Sequence, residues 1–261
     1  MRNLARAVLH ASEGGAVVPT VYTSLAARQV HIRKAEVSMI AGPPGSGKST
    51  LALSIAARAG VGTLYFSADT HPHTMSLRLI SMLTNKDQAV VEQYMDNDRD
   101  WAADVLKRSQ HIRWSFDSAP SLQDIEEEIL AYREAIGADP ELIVIDNAID
   151  VTHDSGDEWS SLRSLMRELK WWARETEAAI LVLHHTSEGV TGDPCPPMRS
   201  LHGKVAQTPA LILTINSASS EGFMGVASVK NRYGPANPGG GNPVWLNYNP
   251  GSMFLADLET A

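Results

Sequence analysis

The segment Gly42-Pro43-Pro44-Gly45-Ser46-Gly47-Lys48-Ser49-Thr50 constrains this chain more than any other. It satisfies the spacing G-x-x-x-x-G-K-[ST], in which glycines let successive backbone N–H groups curl around a phosphate. Such a loop works when a buried strand delivers it and a helix leaves it, because the helix dipole adds to the attraction for negative charge. Both flanks are present. Val37 to Ala41 is an apolar run of strand length, and Lys48 to Ala59 is an amphipathic stretch opening directly out of the glycines. The chemistry expected is binding of ATP with Mg²⁺, Lys48 bridging the β- and γ-phosphates and the Ser49 hydroxyl ligating the metal.

From Glu36 onward the same alternation repeats: short runs of Val, Ile and Leu followed by amphipathic stretches. Strands are predicted at Val37 to Ala41, Thr63 to Ser67, His111 to Phe116, Leu142 to Asp146 and Ala179 to Leu183. Helices are predicted at Lys48 to Ala59, His71 to Leu83, Ser121 to Ile136 and Glu158 to Thr176, with the polar region Thr84 to Arg108 also helical. Uninterrupted apolar strands separated by helices predict an α/β fold, a mostly parallel twisted sheet flanked by helices. After Thr186 the pattern changes to a Gly/Pro/Ser-rich loop, a short helix, and strands near Ala210 to Ile215, Phe223 to Lys230, Val244 to Tyr248 and Met253 to Leu258, which read as antiparallel. Residues 1–34 carry no legible chemistry and read as an arm or linker, leaving residues 35–261 as one domain.

Composition narrows the partners. The chain carries 30 acidic against 22 basic residues, a net charge of −8, which argues against a uniformly basic nucleic-acid-binding surface but leaves room for a local basic stripe. The single cysteine, Cys195, suits a reducing compartment and reads as an incidental thiol. No run approaches the ~20 apolar residues of a membrane span, and the N-terminus lacks a signal-peptide pattern, so a cytoplasmic location is expected.

Further polar residues stand at the ends of predicted strands. Asp146 closes Leu142-Ile143-Val144-Ile145 and is the candidate carboxylate for the Mg²⁺ shell, although Asn147 and Asp150 could play similar local roles. Asp69 follows Phe66-Ser67-Ala68 and is either the base that orients the attacking water or a cap for the next helix. His184 or His185, at the end of Ala179 to Leu183, could sense the γ-phosphate. A zinc site is disfavoured, because adjacent strand residues point to opposite faces and no third ligand lies at the right spacing. Lys230 and Arg232, two apart at a strand end, have no acidic neighbour in sequence and read either as a solvated end or as a cationic finger reaching the γ-phosphate of a neighbouring copy.

The order of these elements resembles the RecA-like ATPase core of the DnaB-type replicative helicases and of the smaller RepA-type hexameric plasmid helicases. The resemblance rests on the phosphate loop, Phe66-Ser67-Ala68-Asp69, Ile145-Asp146, His184-His185, and Lys230-Asn231-Arg232 before Tyr233-Gly234-Pro235, and covers about Glu36 to Leu258. It implies a RecA-like P-loop fold, ATP hydrolysis, a hexameric ring in which Lys230 and Arg232 act in trans, and single-stranded DNA held by channel loops at Ser187 to Ser200 and Ser217 to Gly222. Arg199 and Lys204 are the basic residues in or beside those loops. The chain departs from the pattern in carrying Asp69 where the family usually has Glu, and the family's N-terminal primase-binding domain is not expected among residues 1–34. The implied function is a DNA helicase of phage or plasmid replication. A non-unwinding loader, recombination mediator or regulatory switch is the alternative, and a small-molecule kinase is a weaker third.

Overall fold

A computed structural model describes residues 15–151, 158–187, 195–218 and 221–258. The centre is a nine-stranded sheet in the order β3-β2-β4-β5-β1-β6-β7-β8-β9. Its strands are β1 (Val37–Gly42), β2 (Thr63–Ser67), β3 (Ile112–Ser115), β4 (Leu142–Asp146), β5 (Ala179–His185), β6 (Leu211–Ala218), β7 (Phe223–Asn231), β8 (Val244–Asn249) and β9 (Phe254–Asp257). The pairs from β3 across to β6 are parallel, and β6 through β9 are antiparallel. The sheet is thus the expected mostly parallel one with an antiparallel C-terminal edge.

Residues of β1, β2 and β4 are buried along their whole length, as a strand covered on both faces requires. Side chains alternate between two apolar layers. Ile40, Tyr65, Val144 and Leu181 face a layer shared with α2 (Lys48–Ala59) and α3 (Pro72–Thr84), which follow the short α1 (Thr23–Ala27). Met39, Phe66, Ile143 and Val182 face the other. After α4 (Gln88–Asn97) and α5 (Arg99–Leu106), that second layer is closed by α6 (Leu122–Ile136) and α7 (Glu158–Glu175). The α3–α5 lobe has a small core of its own built on Ile80, Val91, Ala102 and Val105.

The predicted start of α6 is a reciprocal capping box. The Ser121 hydroxyl accepts from the Asp124 N–H at 3.2 Å, and the Asp124 carboxylate accepts from the Ser121 N–H at 2.7 Å.

Residues 15–34, part of the expected arm or linker, pack onto the domain. Val18, Tyr22, Leu25 and Val30 are buried in the same apolar layer as α2. The Tyr22 hydroxyl meets Ser54 Oγ of α2 at 2.6 Å, and Asp257 of β9 accepts from the Thr23 and Ser24 N–H groups at 2.8 and 3.1 Å. The segment lacks helical or alternating periodicity because its apolar side chains fill gaps between distant elements.

Candidate functional site

The phosphate loop stands where β1 ends and α2 begins. Gly47 caps α2 at φ 89°, in the left-handed region, and a Cβ there would lie 2.5 Å from Met224 Cε. A Cβ on Gly42 would lie 2.6 Å from Ser46 Oγ and 2.9 Å from Ile215 Cγ1. The glycines are therefore fixed by close approach as well as by dihedral angle.

Lys48 is buried and donates to the carbonyls of Gly42 and Pro43 at 3.0 and 2.9 Å. Burial pushes its ammonium down to about 8, against the opposing pull of Asp146 and Asp69. His185 Nδ1 lies 3.3 Å from Lys48 Nζ, and burial together with the Lys48 charge lowers the imidazole below its usual value. His184, one residue earlier, is buried and opposite Ala41 in the ladder, whereas His185 is opposite Gly42. Of the two histidines, His185 is the one at the site.

Asp146 ends β4, buried, accepting from the Tyr65 hydroxyl at 3.2 Å and hydrogen-bonded to Ser49. Burial raises its carboxyl, outweighing the hydrogen bonds from Ser49 and Tyr65. A desolvated carboxylate beside a loop hydroxyl is the donor set that suits Mg²⁺. Ser46 Oγ is buried without a hydrogen-bond partner at the turn of the loop, so the residues present fit a phosphate chain with its metal.

Asp69 is exposed on the rim of the same cavity, of ≈ 370 Å³, which is lined by Pro44, Lys48, Ser49, Thr50, Asp146 and His185. The cap of α3 is His71, whose ring accepts from the His73 N–H at 3.3 Å, so capping is not the work of Asp69. Asp150 lies close enough for its charge to be felt at the site. Burial first, then repulsion from Asp69 and Asp146, raises it to about 6.

The cavity includes residues the sequence did not single out. Arg78 of α3 reaches it and donates to Thr70 Oγ1 at 3.2 Å. Its signal was faint: one arginine on a helix that starts just past Asp69. Tyr248 of β8 and Met253 also line the cavity, Met253 Sδ taking the Thr50 hydroxyl at 3.8 Å. Nothing local in the sequence ties those two to a loop some 200 residues earlier.

Lys230 and Arg232 lie elsewhere. Lys230 Nζ donates to the carbonyls of Ala206 and Gln207 at 2.6 and 3.1 Å. Arg232 pairs with Glu36 at 3.1 Å, and the Tyr233 hydroxyl donates to the same carboxylate at 2.7 Å. The absence of an acidic neighbour in sequence is thus corrected by the fold. The Arg232 N–H bonds to Ala210, whose N–H bonds to Val37, so Arg232 stands level with the start of β1. At ~3.3 Å per residue that is about 17 Å from Gly42. Arg199 sits in a short 3₁₀ turn at Met198–Ser200. The Lys204 side chain, residues 188–194 and residues 219–220, parts of or beside the expected DNA loops, lie outside the described residues.

Cys195 is buried, and burial pushes its thiol up to about 12, away from reactivity. Among the described residues no helix is long and apolar enough to cross a membrane.

A family model described as "AAA domain" matches residues 27–189. The gene 65 protein of Mycobacterium phage L5 is 34% identical over 257 residues, covering 94% of each chain. The replicative DNA helicase DnaB of Buchnera aphidicola is 24% identical over 250 residues, covering 87% of this chain and 53% of its own length. Among solved structures, a DnaB-like replicative helicase superposes with a TM-score of 0.80 at 18% identity, over 98% of this chain and 67% of that one. The RadB recombinase superposes with a TM-score of 0.61 at 17% identity, over 93% of this chain and 100% of its own. The architecture is a RecA-like P-loop core resembling that of the DnaB-type helicases.

Proposed function

This chain belongs to the AAA-domain family, and we propose that it is an ATP-hydrolysing, ring-forming motor that acts on DNA as a helicase of phage replication. The observation that carries the reading is the separation of the two halves of its chemistry. Lys48, Ser49, Asp69, Asp146 and His185 surround one cavity, while Arg232 stands about 17 Å from the phosphate loop of its own chain. That spacing suits a cation that completes the site of a neighbouring copy, where an arginine supplied in trans can be worth ~10³–10⁵ in rate.

In this reading Lys48 exchanges the Gly42 and Pro43 carbonyls for β- and γ-phosphate oxygens. Ser49 and Asp146 would hold Mg²⁺, which would neutralise charge developing on those oxygens. Asp69, on the open rim, orients the attacking water and takes its proton as the γ-phosphoryl group leaves ADP. Neutral His185, touching Lys48, relays whether the γ-phosphate is present. Tyr248 and Met253 offer a wall for the base. Its partners are further copies, arranged as a hexamer in the DnaB-type pattern, and single-stranded DNA.

The net charge of −8 favours a second reading, a RecA-like loader or regulatory switch whose ATP state governs assembly. ATPase rate measured with and without single-stranded DNA, beside strand displacement on a forked duplex with Lys48→Ala as the blank, separates the two. DNA-stimulated turnover with displacement is expected. Turnover indifferent to DNA and no displacement would leave the switch.

A further inference from the structure

Helix α7 carries a face that the nucleotide site does not use. Its apolar side, Leu162, Leu165, Met166, Leu169 and Ala173, is buried against the sheet. On the outward side Arg163, Arg167 and Arg174 are exposed and Lys170 is half-buried. At ~100° per residue these four cations fall within about 60° of arc, and over ~1.5 Å per residue they run for about 16 Å along the helix.

Among the described side chains of the helix no acid is placed to neutralise them. Arg163 and Arg167, and Lys170 and Arg174, stand four apart, a spacing at which like charges disfavour a helix. Glu168 and Glu175 lie one, two, five, six or more positions from the cations and never three or four. Among the described residues none of the four makes an ion pair; Arg167 donates to Ser164 Oγ at 3.2 Å. Glu36, whose charge reaches Lys230, is engaged with Arg232. The positive field continues onto β7, where Lys170 is close enough to repel Lys230.

Trp171 lies beside this stripe, 51% exposed, its ring braced edge-on by the buried Trp172 at 4.7 Å and 76°. A half-exposed indole with Arg167 four residues before it and Arg174 three after it, and with Glu168 and Glu175 on its far side, is a stacking plane beside phosphate ligands. Bases of a duplex are not available to stack on such a plane, and bases of a single strand are.

We propose, on the reading of this chain as an ATPase that acts on DNA, that the outer face of α7 is a docking surface for single-stranded DNA, Arg163, Arg167, Lys170 and Arg174 holding the phosphates and Trp171 stacking on a base. The occupant follows from charge complementarity: a polyanion for an unneutralised cationic stripe on an acidic protein, with unpaired bases for the indole.

The test is fluorescence anisotropy of labelled oligo(dT) against salt, with sedimentation and basal ATPase measured on the same proteins. The triple variant Arg163→Gln/Arg167→Gln/Arg174→Gln is expected to bind at least tenfold more weakly and to lower the slope of log K against log salt by about 2, at ~0.7 per phosphate contact. Trp171→Ala is expected to weaken binding about fivefold or more with the slope unchanged. Both keep wild-type sedimentation and basal ATPase. Arg163→Lys/Arg167→Lys/Arg174→Lys, which retains the charge, is expected to keep the slope. Lys48→Ala, blocked at the nucleotide site, is expected to keep the oligo(dT) affinity, and wild-type protein that binds oligo(dT) through the stripe without displacing a strand counts against the motor reading alone. Unchanged affinity and slope in the glutamine variant overturn the proposal. So does a shift of that variant to smaller species, which makes the face a contact between copies, and so does tighter wild-type binding to duplex than to single strand.

Discussion

Gly47 and Gly60 both sit at positive φ, 89° and 68°, but only Gly47 faces other atoms where a Cβ would be. Gly47→Ala combines a left-handed backbone penalty of ~1–2 kcal/mol with displacement of the Met224 methyl group from the loop. Urea unfolding is expected to show a loss of about 2–3 kcal/mol, and nucleotide titration at least tenfold weaker binding. Gly60→Ala, open on all sides, is expected to lose only about 1–2 kcal/mol and to bind nucleotide normally. Asp150 gives a pH-dependent case. Its folded value, about 6, is above that of an unfolded carboxyl, so the ionised form is disfavoured by folding. Its relative contribution to stability is complete below the unfolded value and lost as pH rises through the folded one. In metal-free buffer Asp150→Asn is therefore expected to raise Tm at pH 7.5, with the gain shrinking between pH 6 and 4. A constant Tm difference across that range would show that the carboxyl is not held near Asp69 and Asp146.

At the level of elements, the phosphate loop is legible because its strand, turn and helix are consecutive. The apolar run of β4, the all-buried β1 and the capping box of α6 are local patterns of the same kind. The segment 15–34 is the contrary case: Tyr22 reaches Ser54, and Thr23 and Ser24 reach Asp257 across more than 230 positions. No window of sequence contains both partners. Tyr22, 1% exposed, anchors α1 on α2. Tyr22→Ala is expected to lower unfolding free energy by ~3–5 kcal/mol through the cavity it leaves. Tyr22→Phe, which strands the buried Ser54 hydroxyl, is expected to lower it by ~1–3 kcal/mol. Equal, negligible losses in urea titrations would mean that residues 15–34 are the linker their sequence suggests.

For the whole molecule, the decisive relation is between β1 and β7. Arg232 is tied to Glu36 at one end of β1, and the phosphate loop leaves the other. In the ring reading, Arg232→Ala is expected to abolish turnover while leaving ATP affinity nearly intact, and mixing it with Lys48→Ala protein should restore part of the activity at composite interfaces. Normal hydrolysis by Arg232→Ala would remove the finger, and with it the main support for a shared site. The sequence by itself determined the phosphate loop, the Asp146 strand end and the alternation that makes a mostly parallel sheet, because each is set by residues close along the chain. Tertiary structure alone decided between His184 and His185, brought Arg78, Tyr248 and Met253 to the cavity, and placed Glu36 against Arg232. Those outcomes depend on strand register and on which distant surfaces meet when apolar faces are buried, and neither is written in local periodicity.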